Sequence, residues 1–178
     1  AIGLEVAEAL HDRGLTVTVL EVLDHLVAAL DADMAGKIEE RLREKGVTVF
    51  KGKGAAVRRV LPDGVELENG TVISCDGVVF ATGVRPDIRL ARQAGLKVEK
   101  GIVVDASMRT SAADIYAVGD AAQISDGATG LPLLPLVGTL AMREAVVAAS
   151  SAAGRPMPLP PVAVWGVSAI FGLNWGSV

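Results

Sequence analysis

The sequence predicts an α/β fold: a doubly wound parallel sheet, incomplete at one end, with a three-stranded meander beside it. Three observations predict it. Helix-period and strand-period segments alternate over residues 3–50, the order of parallel strands joined by crossover helices. Hydrophobic residues make up 51% of the 178-residue chain and aromatics only 3%, so the core is aliphatic, as suits strands covered by helices. Apolar runs end at Thr82-Gly83 and at Gly119-Asp120, and in open α/β sheets ligands sit beyond the carboxyl ends of strands.

Residues 3–13 read as a helix with Val6, Ala7 and Leu10 on one face and Gly14 as its C-terminal cap. Thr16 to Glu21 is a strand rich in β-branched residues. A second helix has Asp31 or Asp33 as cap, Met34, Ile38 and Leu42 on one face, and Gly46 at its end. Val47 to Phe50 is the next strand. Ala55 to Leu61, Val65 to Glu68 and Thr71 to Ser74 form the meander, turned at Pro62-Asp63-Gly64 and at Asn69-Gly70, a strong hairpin signal. Val65 and Leu67 alternate with Glu66 and Glu68, so one face of it is expected to be wet.

Gly77 to Ala81 is wholly apolar and is expected to return to the parallel sheet as a strand. Gly83, just beyond it, lets a bound group approach the backbone. Val84 to Asp87 crosses to the next region, with Arg85 forced toward extended geometry by Pro86 and read as a solvated linker residue, the other reading being an Arg that reaches a bound cofactor. Ile102 to Asp105 and Ile115 to Val118 read as strands. The second is expected to be buried on both faces, with Gly119 and Asp120 at its carboxyl end. Residues 121–135 read as a loop. A helix from about Leu136 to Ala153, ended by Gly154, has Leu136, Leu140 and Val147 on its apolar face and Ala141, Ala145 and Ala148 for close packing. Residues 162–168 and 169–175 read as strand pieces.

Composition excludes several classes. A formal charge of −4 with scattered Lys and Arg argues against nucleic acid. The basic cluster Arg41 to Lys45 contains Glu44 and closes a helix, where cations belong. The single cysteine, Cys75, cannot close an intrachain disulfide, which points to the reducing cytoplasm, and its apolar strand setting is that of a packing residue. Residues 156–178 carry no charge, yet Pro156, Pro158, Pro160 and Pro161 break their start, and Gly166, Gly172 and Asn174 interrupt them; no membrane span is expected. Nor is a signal peptide.

Three motifs occur in order: Ala1-Ile2-Gly3-Leu4-Glu5, Ala81-Thr82-Gly83-Val84-Arg85-Pro86-Asp87, and Thr110 to Asp120. Together they resemble the signatures of the flavin- and nicotinamide-dependent pyridine nucleotide-disulfide oxidoreductases, over nearly the whole chain. Asp87 stands where such proteins usually have Asn, and Ala145 where they often have Gly. Gly3 fits the third glycine of a Gly-x-Gly-x-x-Gly, and Glu21 fits the acidic residue near 20 positions on. The strand and two glycines that open that motif do not occur in the sequence. The chain is therefore expected to be an internal piece, truncated at both ends.

The resemblance implies that residues 1–84 are a Rossmann-like NAD-binding domain without its first strand. Residues 85–155 would be the C-terminal segment of an FAD domain. Residues 156–178 would open an interface domain like that of the NADH oxidase and coenzyme A-disulfide reductase branch, making the intact protein a homodimer. Glu21 would hydrogen-bond the adenosine ribose hydroxyls of NAD and repel a 2′-phosphate, the next basic side chain beyond His25 being Lys37; the plainer reading is a solvated Glu after a strand. Glu5 suits a helix N-terminus on its own and by resemblance approaches the nicotinamide carboxamide. Gly119 and Asp120 would meet the ribityl or nearby hydroxyls of FAD, unless Asp120 only caps the next segment. Backbone N–H groups of Val137, Gly138 and Thr139 would face the flavin pyrimidine edge, unless that helix start is an ordinary one.

No side chain is assigned a catalytic role, no metal is expected, and Cys75 lies in the wrong place for a redox cysteine. The implied activity is hydride transfer from NADH to FAD and on to a small-molecule acceptor (disulfide, oxygen or peroxide) or a redox protein. The alternatives are a ferredoxin or rubredoxin reductase of the same architecture and a non-catalytic nucleotide-binding module.

Overall fold

The computed structural model describes residues 2–177, in two compact units: residues up to Gly83 together with those from Trp165 on, and Val84–Val164. In the first, α1 (Ile2–His11) buries Leu4 and Ala7 and carries Glu5 in its first turn. Gly14, at φ +80°, turns the chain out of it. β1 (Thr18–Glu21) pairs in parallel with β2 (Thr48–Lys51), Thr18 against Thr48 through Glu21 against Lys51. Between them α2 (Ala32–Glu44) buries Ala35, Ile38, Glu39 and Leu42. Met34, expected inward, is 46% exposed. Ala35 takes its place because the buried stripe runs 35, 38, 39, 42, the true i, i+3, i+4, i+7 set. Glu39 is tolerated there because both its oxygens are paired, with Lys51 Nζ at 2.8 Å and Arg43 Nη2 at 3.2 Å. Asp31 is the N-cap by backbone, without a side-chain bond; Asp33 bonds Met34 N instead.

The meander forms as expected in β3 (Val57–Leu61), β4 (Gly64–Leu67) and β5 (Val72–Ser74), all antiparallel. Its inner strand is not wet on one face: every residue of β4 is buried. Glu66 lies under Arg58 and Arg59, bonded at 3.1 and 2.6 Å, and the Arg59 guanidinium holds its carboxyl below the usual range. Cys75 follows β5, half-buried rather than within the strand. The expected strand at residues 77–81 is absent, and Val79 and Phe80 are exposed. A strand needs a ladder partner. In the doubly wound order one further strand stands between β1 and this run, and none of the described residues occupies that place.

In the second unit a short α3 (Arg89–Gln93), not foreseen, starts where Asp87 accepts Arg89 N and clamps the Arg89 guanidinium. That pairing lowers the Asp87 carboxyl to about 2. β6 (Ile102–Val103) runs parallel to β7 (Ala122–Ser125), which pairs antiparallel with β8 (Pro132–Leu133). Two expectations fail here. Residues 121–135 contain two strands rather than a loop. Ile115 to Val118 make one isolated bridge, Arg109 to Tyr116, and Ile115 is 42% exposed. Met108, fully buried, sits at φ +62° beside that bridge, and its carbonyl accepts the Ala117 N–H at 3.2 Å. Asp120 stands in a 3₁₀ turn, Gly119–Ala121, at the amino end of β7, not at the carboxyl end of a strand. α4 (Gly138–Ala152) buries Leu140, Glu144, Val147 and Ser151. Leu136, at φ +52°, precedes the helix and is exposed, as is Ala145; neither belongs to the packing face. Met108, Ile124, Leu140, Val147 and Val162 make this unit's core.

The chain then returns to the first unit as the antiparallel hairpin β9 (Gly166–Ile170) and β10 (Leu173–Ser177). Phe171 and Gly172 both have positive φ, 46° and 75°, as a two-residue primed turn requires. Ile170, fully buried, joins Leu4, Leu26, Ile38, Leu42 and Val47 in one core. Val162 packs in the second unit and Ile170 in the first.

Candidate functional site

Two sets of predicted residues are brought together, one in each unit. In the second, α4 begins with an open N-terminus. Among the described residues, the backbone N–H groups of Val137, Gly138 and Thr139 find no acceptor, and Gly138 and Thr139 are exposed. Free donors at a helix start, with the partial positive charge of the helix, form an anion-favouring site. The Gly119–Ala121 turn lies against the same helix: a Cβ placed on Gly119 would stand 3.7 Å from the Ala141 Cβ. Gly119 needs its φ of +74° for that turn. Asp120 is exposed, and its carboxylate accepts no hydrogen bond from the described residues. It does not cap the next segment.

Glu144, one turn beyond Ala141, was missed from the sequence. It is 1% exposed and its Oε2 accepts the Gly119 N–H at 2.6 Å. Its signal was an acid in the apolar row Leu140, Glu144, Val147. Burial pushes its carboxyl up, the Gly119 N–H pulls it down, and the Asp120 charge pushes it up again; the net direction is up.

In the first unit, Gly3 does pack close: a Cβ there would meet the Ala81 Cβ at 3.0 Å. Glu21 ends β1 half-buried, its Oε1 accepting Leu23 N at 2.9 Å. The sequence showed no nearby cation, but the parallel register sets Lys51 opposite it; that ammonium is engaged by Glu39. Glu5 opens on a cleft of about 370 Å³, lined also by Val27, Ser168 and Trp175. Its Oε1 accepts Ser168 Oγ at 2.8 Å, so Glu5 already ties β9 to α1, a role the sequence did not reveal. Glu21 does not line that cleft. Gly83, at φ +85°, has open space where a Cβ would be, in a segment without regular structure. Among the described residues no three His, Cys, Asp or Glu side chains could hold a metal ion, and no helix is long and apolar enough to cross a membrane.

The parallel β1–β2 ladder with its crossover helix, and the meander beside it, place the chain in the doubly wound α/β class. Residues 1–152 match the pyridine nucleotide-disulphide oxidoreductase family, and the chain belongs to it. It is 39% identical, over 99% of its length, to the NADH oxidase of Methanocaldococcus jannaschii. It is 34% identical, over 90% of its length, to the rubredoxin-NAD(+) reductase of Pseudomonas putida. Over 97% of its length it matches the structure of a NAD-dependent persulfide reductase from A. fulgidus, with a TM-score of 0.89 and 35% identity. The chain spans 40% and 43% of the two curated relatives and 33% of that structure.

The residues present fit the cofactors of such a family. A partner-free carboxylate suits a polyhydroxyl chain, and unbonded helix N–H groups suit an electron-rich ring edge. A half-buried acid at the end of β1 suits ribose hydroxyls.

Proposed function

We propose that this chain is part of an FAD- and NAD-dependent oxidoreductase, passing hydride from NADH to the flavin and electrons on to an acceptor. The observation that carries the reading is the open N-terminus of α4 beside the partner-free Asp120. Bound flavin supplies the two-electron chemistry. This chain's residues position it and adjust its surroundings. Asp120 accepts hydrogen bonds from ribityl or nearby hydroxyls. Val137, Gly138 and Thr139 donate backbone N–H groups, favouring negative charge on the ring edge they face. Glu21 accepts from the adenosine ribose and repels a 2′-phosphate, while Gly3 lets α1 pack closely. Glu5 reaches the nicotinamide carboxamide through the oxygen that Ser168 leaves free.

On this reading residues 1–84 serve the NAD domain, 85–155 the FAD domain and 156–178 the opening of an interface used in a homodimer. The relatives' names differ in acceptor, so the class proposed is a small molecule (disulfide, oxygen or peroxide) or a redox protein. The lone Cys75 suits the cytoplasm. The test is fluorescence titration of the apoprotein with FAD. Asp120→Ala should raise Kd by about tenfold, the loss of one hydrogen bond to a charged group. Equal affinity in the two proteins overturns the reading.

A further inference from the structure

Glu144 occupies a place where an acid has no packing value. It lies on the buried stripe of α4 between Leu140 and Val147, 1% exposed. An unpaired carboxylate there would be strongly unfavourable. Its partner is neither a cation nor another side chain but one backbone donor, the N–H of Gly119 at 2.6 Å. That donor belongs to the residue just before Asp120, which opens the 3₁₀ turn at φ +74° and whose N–H no carbonyl of that turn accepts. Of the groups packed against α4, Asp120 is the charged one that acts on Glu144; Met108, Ile124 and Val162 are apolar, and Tyr116 is the titratable ring beside that core.

We propose that Glu144 is a positioning residue: by accepting the Gly119 N–H it fixes the Gly119–Ala121 turn and so holds the Asp120 carboxylate outward for the hydroxyls of the flavin cofactor. The two acids divide the work. The negative charge of Glu144 also disfavours an inward-folded Asp120. The proposal rests on the reading of Asp120 as a flavin contact.

The test tracks the Gly119 amide by NMR in this chain, as wild type, Glu144→Gln and Glu144→Ala, and then titrates each with FAD in the presence of a relative's glycine-rich strand–helix segment supplied in trans. In wild type the Gly119 proton should shift with pH, with a midpoint above that of an ordinary Glu. In Glu144→Gln, which keeps an acceptor and removes the titration, the shift should be flat and amide exchange little changed. In Glu144→Ala exchange at Gly119 should rise by about tenfold or more while the rest of the core keeps its protection. FAD affinity should fall several-fold in Glu144→Ala and be largely restored in Glu144→Gln. A wild-type Gly119 shift that ignores pH, or unchanged exchange in Glu144→Ala, overturns the proposal. If Asp120→Ala weakens FAD and Glu144→Ala does not, the proposal alone falls. If neither does, the flavin reading of Asp120 falls and takes the proposal with it.

Discussion

Glu21 stands opposite a cation that residue counting along the chain did not reveal, Lys51, yet Glu39 holds that ammonium at 2.8 Å. The end of β1 therefore keeps an acidic character. Glu21→Ala should weaken use of NADH and relax discrimination against NADPH, read as the ratio of kcat/KM for the two; an unchanged ratio leaves Glu21 a surface charge. Asp87 makes a pH prediction. Its folded carboxyl lies at about 2 against an ordinary 3.8, so the contribution is present above the unfolded value and lost as pH falls through the folded one. Urea midpoints of wild type and Asp87→Asn should differ at pH above about 4 and converge near pH 2. Glu144 works the other way. Its carboxyl is raised, so stability declines as pH rises from the ordinary Glu range through the folded value. Glu144→Gln should remove that slope.

The elements carry their own tests. Leu42 is fully buried on α2, and Leu42→Ala should lower unfolding free energy by about 2–5 kcal/mol in denaturant titration. Gly64→Ala would drive a Cβ into the Ile73 carbonyl and should part β4 from β5; circular dichroism unchanged at full stability would refute that contact. These elements were legible because their periodicity is local: α1, α2, α4, β1, β2 and the meander all stand near their expected bounds. What was not legible depends on neighbours. The apolar runs 77–81 and 115–118 read as strands, but a strand also needs an edge to pair with, and nothing within the run states whether one exists. The same limit hid Glu39, whose partner Lys51 lies twelve residues on. At the site, Gly119-Asp120 and the start of α4 were legible as motifs. Glu144 showed only as an acid in an apolar row, and its partner Gly119 lies 25 residues away in the chain.

At the scale of the whole chain, the donors proposed for the cofactor serve one end of FAD. No Gly-x-Gly-x-x-Gly occurs in the 178 residues, so these residues offer the pyrophosphate no glycine-rich helix start. The 178-residue chain by itself should purify without stoichiometric flavin and should not oxidise NADH; a yellow one-to-one complex would show the site misplaced. A glycine-rich strand–helix segment from a relative, supplied in trans, should tighten FAD binding. The placement of Ile170 matters before any cofactor arrives. A ribosome releases residues in order, and the core around Leu4, Ile38 and Leu42 lacks one of its members until residue 170 has emerged. The Val84–Val164 body, wholly encoded earlier, is free to condense first. At translation speeds of about 5–20 residues per second, the aliphatic face of α1 and α2 waits roughly 6–25 s for its last piece. For that interval the nascent chain presents a half-built core, and a chaperone that shields apolar surface has its natural target there.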